Sequence, residues 1–203
     1  MQNRSWNIKT SSTAKPGCLL GFALFWTAFS SIFLVIGLRE EELVFTLVGG
    51  LFVLIGVALL IWALLTFYSR MRLGKPDIQI SETTLRVGAP FTVSYFHTFP
   101  RTVELEGIRV KLIFRETATY QQGTDTRTVT HDEVIEEFSE PGGRFNSGMM
   151  VQQAYQMHIP RASMHTLKVR RNQLQWFIRF EIGIPRLPDY VDEYELDVLP
   201  AMA

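Results

Sequence analysis

The chain has 203 residues, and its twenty Lys/Arg balance twenty Asp/Glu, so no net positive charge offers itself to nucleic acid. A single cysteine, Cys18, excludes an internal disulfide and a cysteine-rich metal centre, and it suits a reducing compartment for the water-exposed part. The balance is uneven: residues 1–73 carry six Lys/Arg against three Glu, and residues 74–203 carry fourteen against seventeen acids.

In chain order, a short polar tail over residues 1–16 precedes the first apolar run, Gly17 to Leu38, which holds no charge. As a helix it reaches roughly 33 Å, enough for a hydrocarbon core of about 30 Å. It is too long for the apolar core of a cleaved signal peptide, and no small-x-small site follows it. Arg39, Glu40, Glu41 and Glu42 come next, and then Leu43 to Phe67, a second uncharged run of twenty-five residues. Four residues between two such runs predict an antiparallel transmembrane hairpin over 17–67.

Arg4, Lys9 and Lys15 flank the first run, and Arg70, Arg72 and Lys75 follow the second. The positive-inside rule then places both termini in the cytoplasm, with the lipid bilayer as the first partner. Trp62, Phe67 and Tyr68 approach the inner interface as aromatic anchors do. Residues 68–75 read as a basic juxtamembrane linker.

Gly17 and Gly21 form a Gly-x-x-x-Gly, and Gly49 and Gly56 repeat at seven residues. Such spacings serve either packing of the hairpin on itself or a homo-oligomer, and self-packing is the expectation. Neither run contains Asp, Glu, Lys, Arg or His, which argues for an anchor and against an ion or proton pathway. Cys18 sits where the first helix meets the cytoplasmic face and reads as buried or inert rather than acylated.

After Pro76 the apolar period changes from 3.6 to 2, which predicts an all-β sandwich over 76–203. The strands are Ile78–Ile80, Phe91–Tyr95, Ile108–Phe114, Thr128–Phe138, Met149–Ile159, Leu174–Ile182 and Tyr194–Val198. Turns fall at 88–90 and 121–125, with a break at Pro141-Gly142-Gly143. Seven strands without an amphipathic helix argue for two packed antiparallel sheets.

The run Leu85-Arg-Val-Gly88-Ala-Pro90-Phe-Thr-Val93 resembles the early hairpin of arrestin-like domains. Three later stretches, His158 to Thr166, Leu174 to Ile178, and Ile184 to Pro200, are similar to their closing strands and to the tails of uncharacterised bacterial two-span proteins. The resemblance covers about the last 120 residues. It implies an arrestin-like or immunoglobulin-like sandwich that binds a protein. One sandwich stands where arrestins have two, and Pro-Pro-x-Tyr is absent, so arrestin-style cargo adaptation does not carry over.

The residues suggest no chemistry. His97, His131, His158 and His165 lack a zinc spacing and read as surface or loop histidines, even with Asp132 and Glu133 beside His131. There is no Gly-x-Ser-x-Gly elbow, and Gly142-Gly143 leads into Arg144-Phe145-Asn146 rather than a phosphate loop. Asp189, Asp192, Glu193, Glu195 and Asp197 could suggest calcium. The alternate placing of Glu193, Glu195 and Asp197 reads instead as a solvated strand face. Lys168, Arg170 and Arg171, with Arg161 and His165, form the most basic loop, which reads as an ordinary polar loop or a lipid contact.

The expectation is a non-enzymatic, membrane-anchored binding or scaffold protein without cofactor, metal or catalytic residues. The alternative is an accessory subunit of a larger membrane enzyme or transporter complex.

Overall fold

A computed structural model describes residues 6–7, 16–82 and 84–201. The chain forms two compact units: one holds both helices up to Arg72 together with Arg186–Pro188, and the other holds the strands, including Trp6–Asn7, with Leu73–Pro185 and the residues from Asp189 on.

The helical unit is an antiparallel pair, α1 (Pro16–Arg39) and α2 (Leu43–Leu73). Both are long and apolar enough to cross a membrane. Residues with no polar stripe can form so long an element only if each turn satisfies its own backbone. The hydroxyls conform: Thr27 donates to the Ala23 carbonyl and Ser31 to that of Thr27. A Cβ at Gly49 would stand 2.6 Å from the Leu34 nitrogen, and one at Gly56 would stand 3.1 Å from the Thr27 Cα. These two glycines therefore let the helices touch backbone to backbone.

Gly17 and Gly21 have nothing within 4 Å of their Cβ positions. The small residues thus divide between a used face and an open one. Cys18, read as buried or inert, is exposed on the surface of α1. Arg4, Lys9 and Lys15 lie outside the described residues. The stretch 68–75, read as a linker, is helical through Leu73: Arg70 and Arg72 are good helix residues, and the helix stops at Gly74, whose φ of +82° is left-handed, two residues before Pro76.

The β unit contains two main sheets. The first has the order β1 (Trp6–Asn7), β2 (Asp77–Ile80), β4 (Pro90–Thr98), β7 (Met150–His158). The second has the order β10 (Tyr190–Leu196), β9 (Asn172–Gly183), β5 (Val103–Gln122), β6 (Asp125–Phe145), with β8 (Leu167–Lys168) also on β9. β3 (Leu85–Arg86) pairs in parallel with β11 (Val198–Leu199). The expected single strand Tyr194–Val198 is therefore two, because the chain leaves β9 after Leu196 and closes on β3.

The core forms where the alternating apolar faces meet. Trp176, Ile178, Phe180 and Ile182 of β9 are fully buried, and Tyr95 of β4 stacks on Phe180 with ring centroids 4.6 Å apart. The Trp176 indole NH donates to the Met164 carbonyl at 3.0 Å, which ties the 160–166 loop over one end of the core.

β5 and β6 are far longer than their sequence pattern implies. The expected break at 141–143 does not occur: β6 runs through it, with Pro141 opposite Gly107 and Gly143 opposite Leu105. A Cβ at Gly142 would lie 2.1 Å from the Leu105 carbonyl oxygen, so here glycine permits a close crossing rather than ending a strand. Toward the other end, β5 loses β9 after Ala118 and continues with β6 as a two-stranded ribbon to the 122–125 turn.

Candidate functional site

Register across β6, β5, β9 and β10 sorts the charges of this sheet by face. Cross-strand partners share a face, so Lys111, Ile113 and Arg115 of β5 point outward with Asp132, Val134 and Glu137 of β6. On that face Arg115 donates to both carboxylate oxygens of Asp132, at 2.6 and 2.8 Å, and to both of Glu193, at 3.0 Å each. Arg179 also reaches both acids, with its Nη2 2.9 Å from Asp132 Oδ2 and its Nε 2.8 Å from Glu193 Oε1. The result is a two-arginine, two-carboxylate square across four strands, with the Arg115 guanidinium 4.5 Å from the Phe177 ring centroid.

Hydrogen bonds from Arg115, and then from Arg179, hold the Asp132 carboxyl below its ordinary range. Burial alone would raise that of Glu193, but the two arginines outweigh it and lower it. Beside the square, Lys111 bonds Glu181 at 2.9 Å and lies 4.0 Å from Glu137. Glu195 holds Lys168 at 2.7 Å and accepts from Gln175 at 2.6 Å. Glu193 and Glu195 of β10 alternate outward as expected but are paired and half-buried rather than solvated, while Asp189 and Asp197, either side of β10, are exposed. Asp192 points inward, buried, and accepts from the Tyr190 hydroxyl at 2.6 Å. Alternation along β10 puts it there, opposite to its charged neighbours.

The inward face of β6 is different. Glu133 pairs with Phe114, Glu136 with Leu112, Phe138 with Val110 and Glu140 with Ile108, so three carboxylates share the face that elsewhere forms the core. Phe138 meets Tyr155 of β7, centroids 5.5 Å apart, and closes the sandwich at this side. The Tyr155 hydroxyl is buried without a hydrogen-bond partner, and burial together with the nearby Glu140 pushes its pKa up to about 12. Glu136 touches His158 of β7, and among the described residues no hydrogen bond or ion pair holds Glu133 or Glu140.

The histidines do not converge. His158 is on β7, His131 is on β6, and His165 is in the loop before β8. His97 is a correction to the surface reading: it is buried, and its Nε2–H donates to the Leu73 carbonyl at 2.8 Å, where the chain enters the sandwich. Its Nδ1 has no partner, and burial lowers the ring's pKa, so the imidazole is neutral. No sequence signal marks it except its place at the end of an alternating strand. Among the described residues no group of His, Cys, Asp and Glu could hold a metal ion.

The basic loop lies at the end of the sheet remote from Leu73, because the Arg171 carbonyl accepts from Thr119 near the far end of β5. An open groove of about 310 Å³ lies at the near end, lined by Glu106, Arg109, Ser139, Glu140 and Asp189. Arg109 pairs there with Glu181 at 3.2 Å and with Asp189 at 4.0 Å.

No protein-family description matches the chain, and no curated protein is similar to it. Among solved structures the β unit is similar to Spo0M, a sporulation control protein from Bacillus subtilis. The TM-score is 0.51 at 12% identity, over 63% of this chain and 49% of that one. The chain thus spans about half of the protein it matches, and at this identity the likeness concerns the fold. The class is an apolar helical hairpin followed by an arrestin-like β-sandwich.

Proposed function

We propose that this protein is a membrane-anchored, non-enzymatic binding or scaffold module. The hairpin crosses the bilayer with both termini in the cytoplasm and holds an arrestin-like, immunoglobulin-like sandwich there. The observation that carries the reading is the exposed edge of β6, twenty-one residues long, beside a charged sheet face whose ions are already paired to one another. Such an edge offers main-chain hydrogen bonds to a partner strand. Spans free of ionisable residues suit an anchor more than a conduit.

Topology is tested by cysteine labelling in sealed cells, with Cys18→Ser as background and Gly123→Cys at the ribbon tip. Labelling only after permeabilisation is expected; labelling of intact cells would remove the cytoplasmic reading.

One observation favours the second reading, an accessory subunit of a larger membrane enzyme or transporter complex. The Gly17/Gly21 face of α1 is open while Gly49 and Gly56 are engaged. Native mass measurement after mild solubilisation separates the two. A stoichiometric hetero-complex supports the subunit, and a monomer or loose homo-oligomer supports the module.

A further inference from the structure

Strand β6 carries five acids between Asp132 and Glu140 and no Lys or Arg from Thr128 to Gly143. Two of the five, Asp132 and Glu137, face outward and meet Arg115, Arg179 and Lys111. The other three, Glu133, Glu136 and Glu140, face inward on this edge strand, flanking the Phe138–Tyr155 contact with β7, Glu133 exposed and the other two half-buried. On the inward face of the edge strand β7 the exposed, uncharged Gln153 shares a face with Tyr155, and His158 of β7 touches Glu136. Beneath this strip lies the Tyr155 hydroxyl, 96% of the residue buried and without a hydrogen-bond partner.

Edge strands are ordinarily guarded by inward charges, prolines and bulges, and β6 has all three: the glutamates, Pro141, and a register shift at Ile135 opposite Leu112/Ile113. Such a guard works because a neutral strand laid over unpaired carboxylates would strip their water without repayment. It fails selectively against a strand that brings its own cations, since each carboxylate then gains a partner as it is covered.

We propose that the β6 edge from Asp132 to Glu140 docks an extended Lys/Arg-rich segment of another protein. That segment pairs with β6 along its backbone and sets alternate cations against Glu133, Glu136 and Glu140. The proposal rests on the binding-module reading above and names the partner's chemistry. On the cytoplasmic side of a membrane, segments of this kind are common next to the spans of other membrane proteins.

The test uses the full chain in nanodiscs of zwitterionic lipid and a fluorescent peptide of alternating lysine and threonine, read by anisotropy. Saturable binding at low salt is expected. It should weaken roughly tenfold or more in the E133Q/E136Q/E140Q variant. It should also be lost when every second peptide nitrogen is methylated, which keeps charge but blocks strand pairing. No saturable binding overturns the proposal, as does equal binding to the triple variant or of the methylated peptide.

If the triple variant does not fold, Glu133→Lys alone, at an exposed position, serves in its place: repulsion weakens the peptide, and unchanged affinity overturns the strip. If the peptide fails while a protein partner still crosslinks to the sandwich in intact membranes, only the strip falls. If both fail, the binding-module reading falls with it.

Discussion

The outward and inward faces of β6 carry the same kind of residue under opposite conditions. Outward, Asp132 is held by two arginines that also reach Glu193. Inward, Glu133 and Glu140 stand at the rim of a core, and no cation among the described residues pairs with them. The contrast teaches that acidic composition does not define a site. What matters is which carboxylates the fold has already satisfied and which it leaves over.

The strongest way to break the comparison is to detach the strand that carries both faces. Gly142→Ala puts a Cβ within 2.1 Å of the Leu105 carbonyl oxygen, against backbone that has no flexible end to give way. We expect a loss of about 3 kcal/mol in chemical unfolding, since overpacking against rigid neighbours costs of this order.

Next comes the outward face. Arg115→Met strips Asp132 and Glu193 of their shared donor while Arg179 still reaches both, and should cost about 1–2 kcal/mol. Acid titration sharpens the same point. Asp132 and Glu193 have lowered folded-state pKa values, so their contribution is complete above about pH 4.5 and fades as pH falls through those folded values.

His97 adds an earlier phase. Its folded-state pKa is also lowered, so the unfolded chain binds the proton first, and stability declines as pH falls below about 6.5 toward the folded value. Thermal unfolding against pH should show both phases. Arg115→Met diminishes the lower one and leaves the upper.

The smallest effect belongs to the inward face. Glu133→Gln and Glu140→Gln should each change stability by no more than about 0.5 kcal/mol, because no cation is lost. A large loss at either position would mean that the carboxylate serves the fold.

Much of the architecture is legible in the residues, and the failures share a cause. The uncharged runs and the alternation Leu174-Trp176-Ile178-Phe180-Ile182 read directly, because burial imposes its period on composition. Pro141-Gly142-Gly143 misleads because proline and glycine punctuate turns far more often than they permit a close crossing, and only the neighbouring strand shows which applies. Phe67 ends the apolar run but not the helix, which continues through Arg70 and Arg72 to Leu73.

Partners from distant strands are invisible along the chain. Asp132, Arg115, Arg179 and Glu193 lie on four different strands, and the sequence alone could not separate them from Glu133 or Glu140. His97 and Asp192 were hidden for the same reason, since each is polar on a strand face otherwise given to the core.

The most direct test is photo-crosslinking of the full-length protein in living cells, with the reactive group at position 133 on the inward edge or at position 181 on the paired outward face. The account predicts a discrete protein adduct from position 133, competed in isolated membranes by the alternating lysine peptide, and none from position 181. Equal adducts at both positions, or adducts at 181 alone, would contradict it.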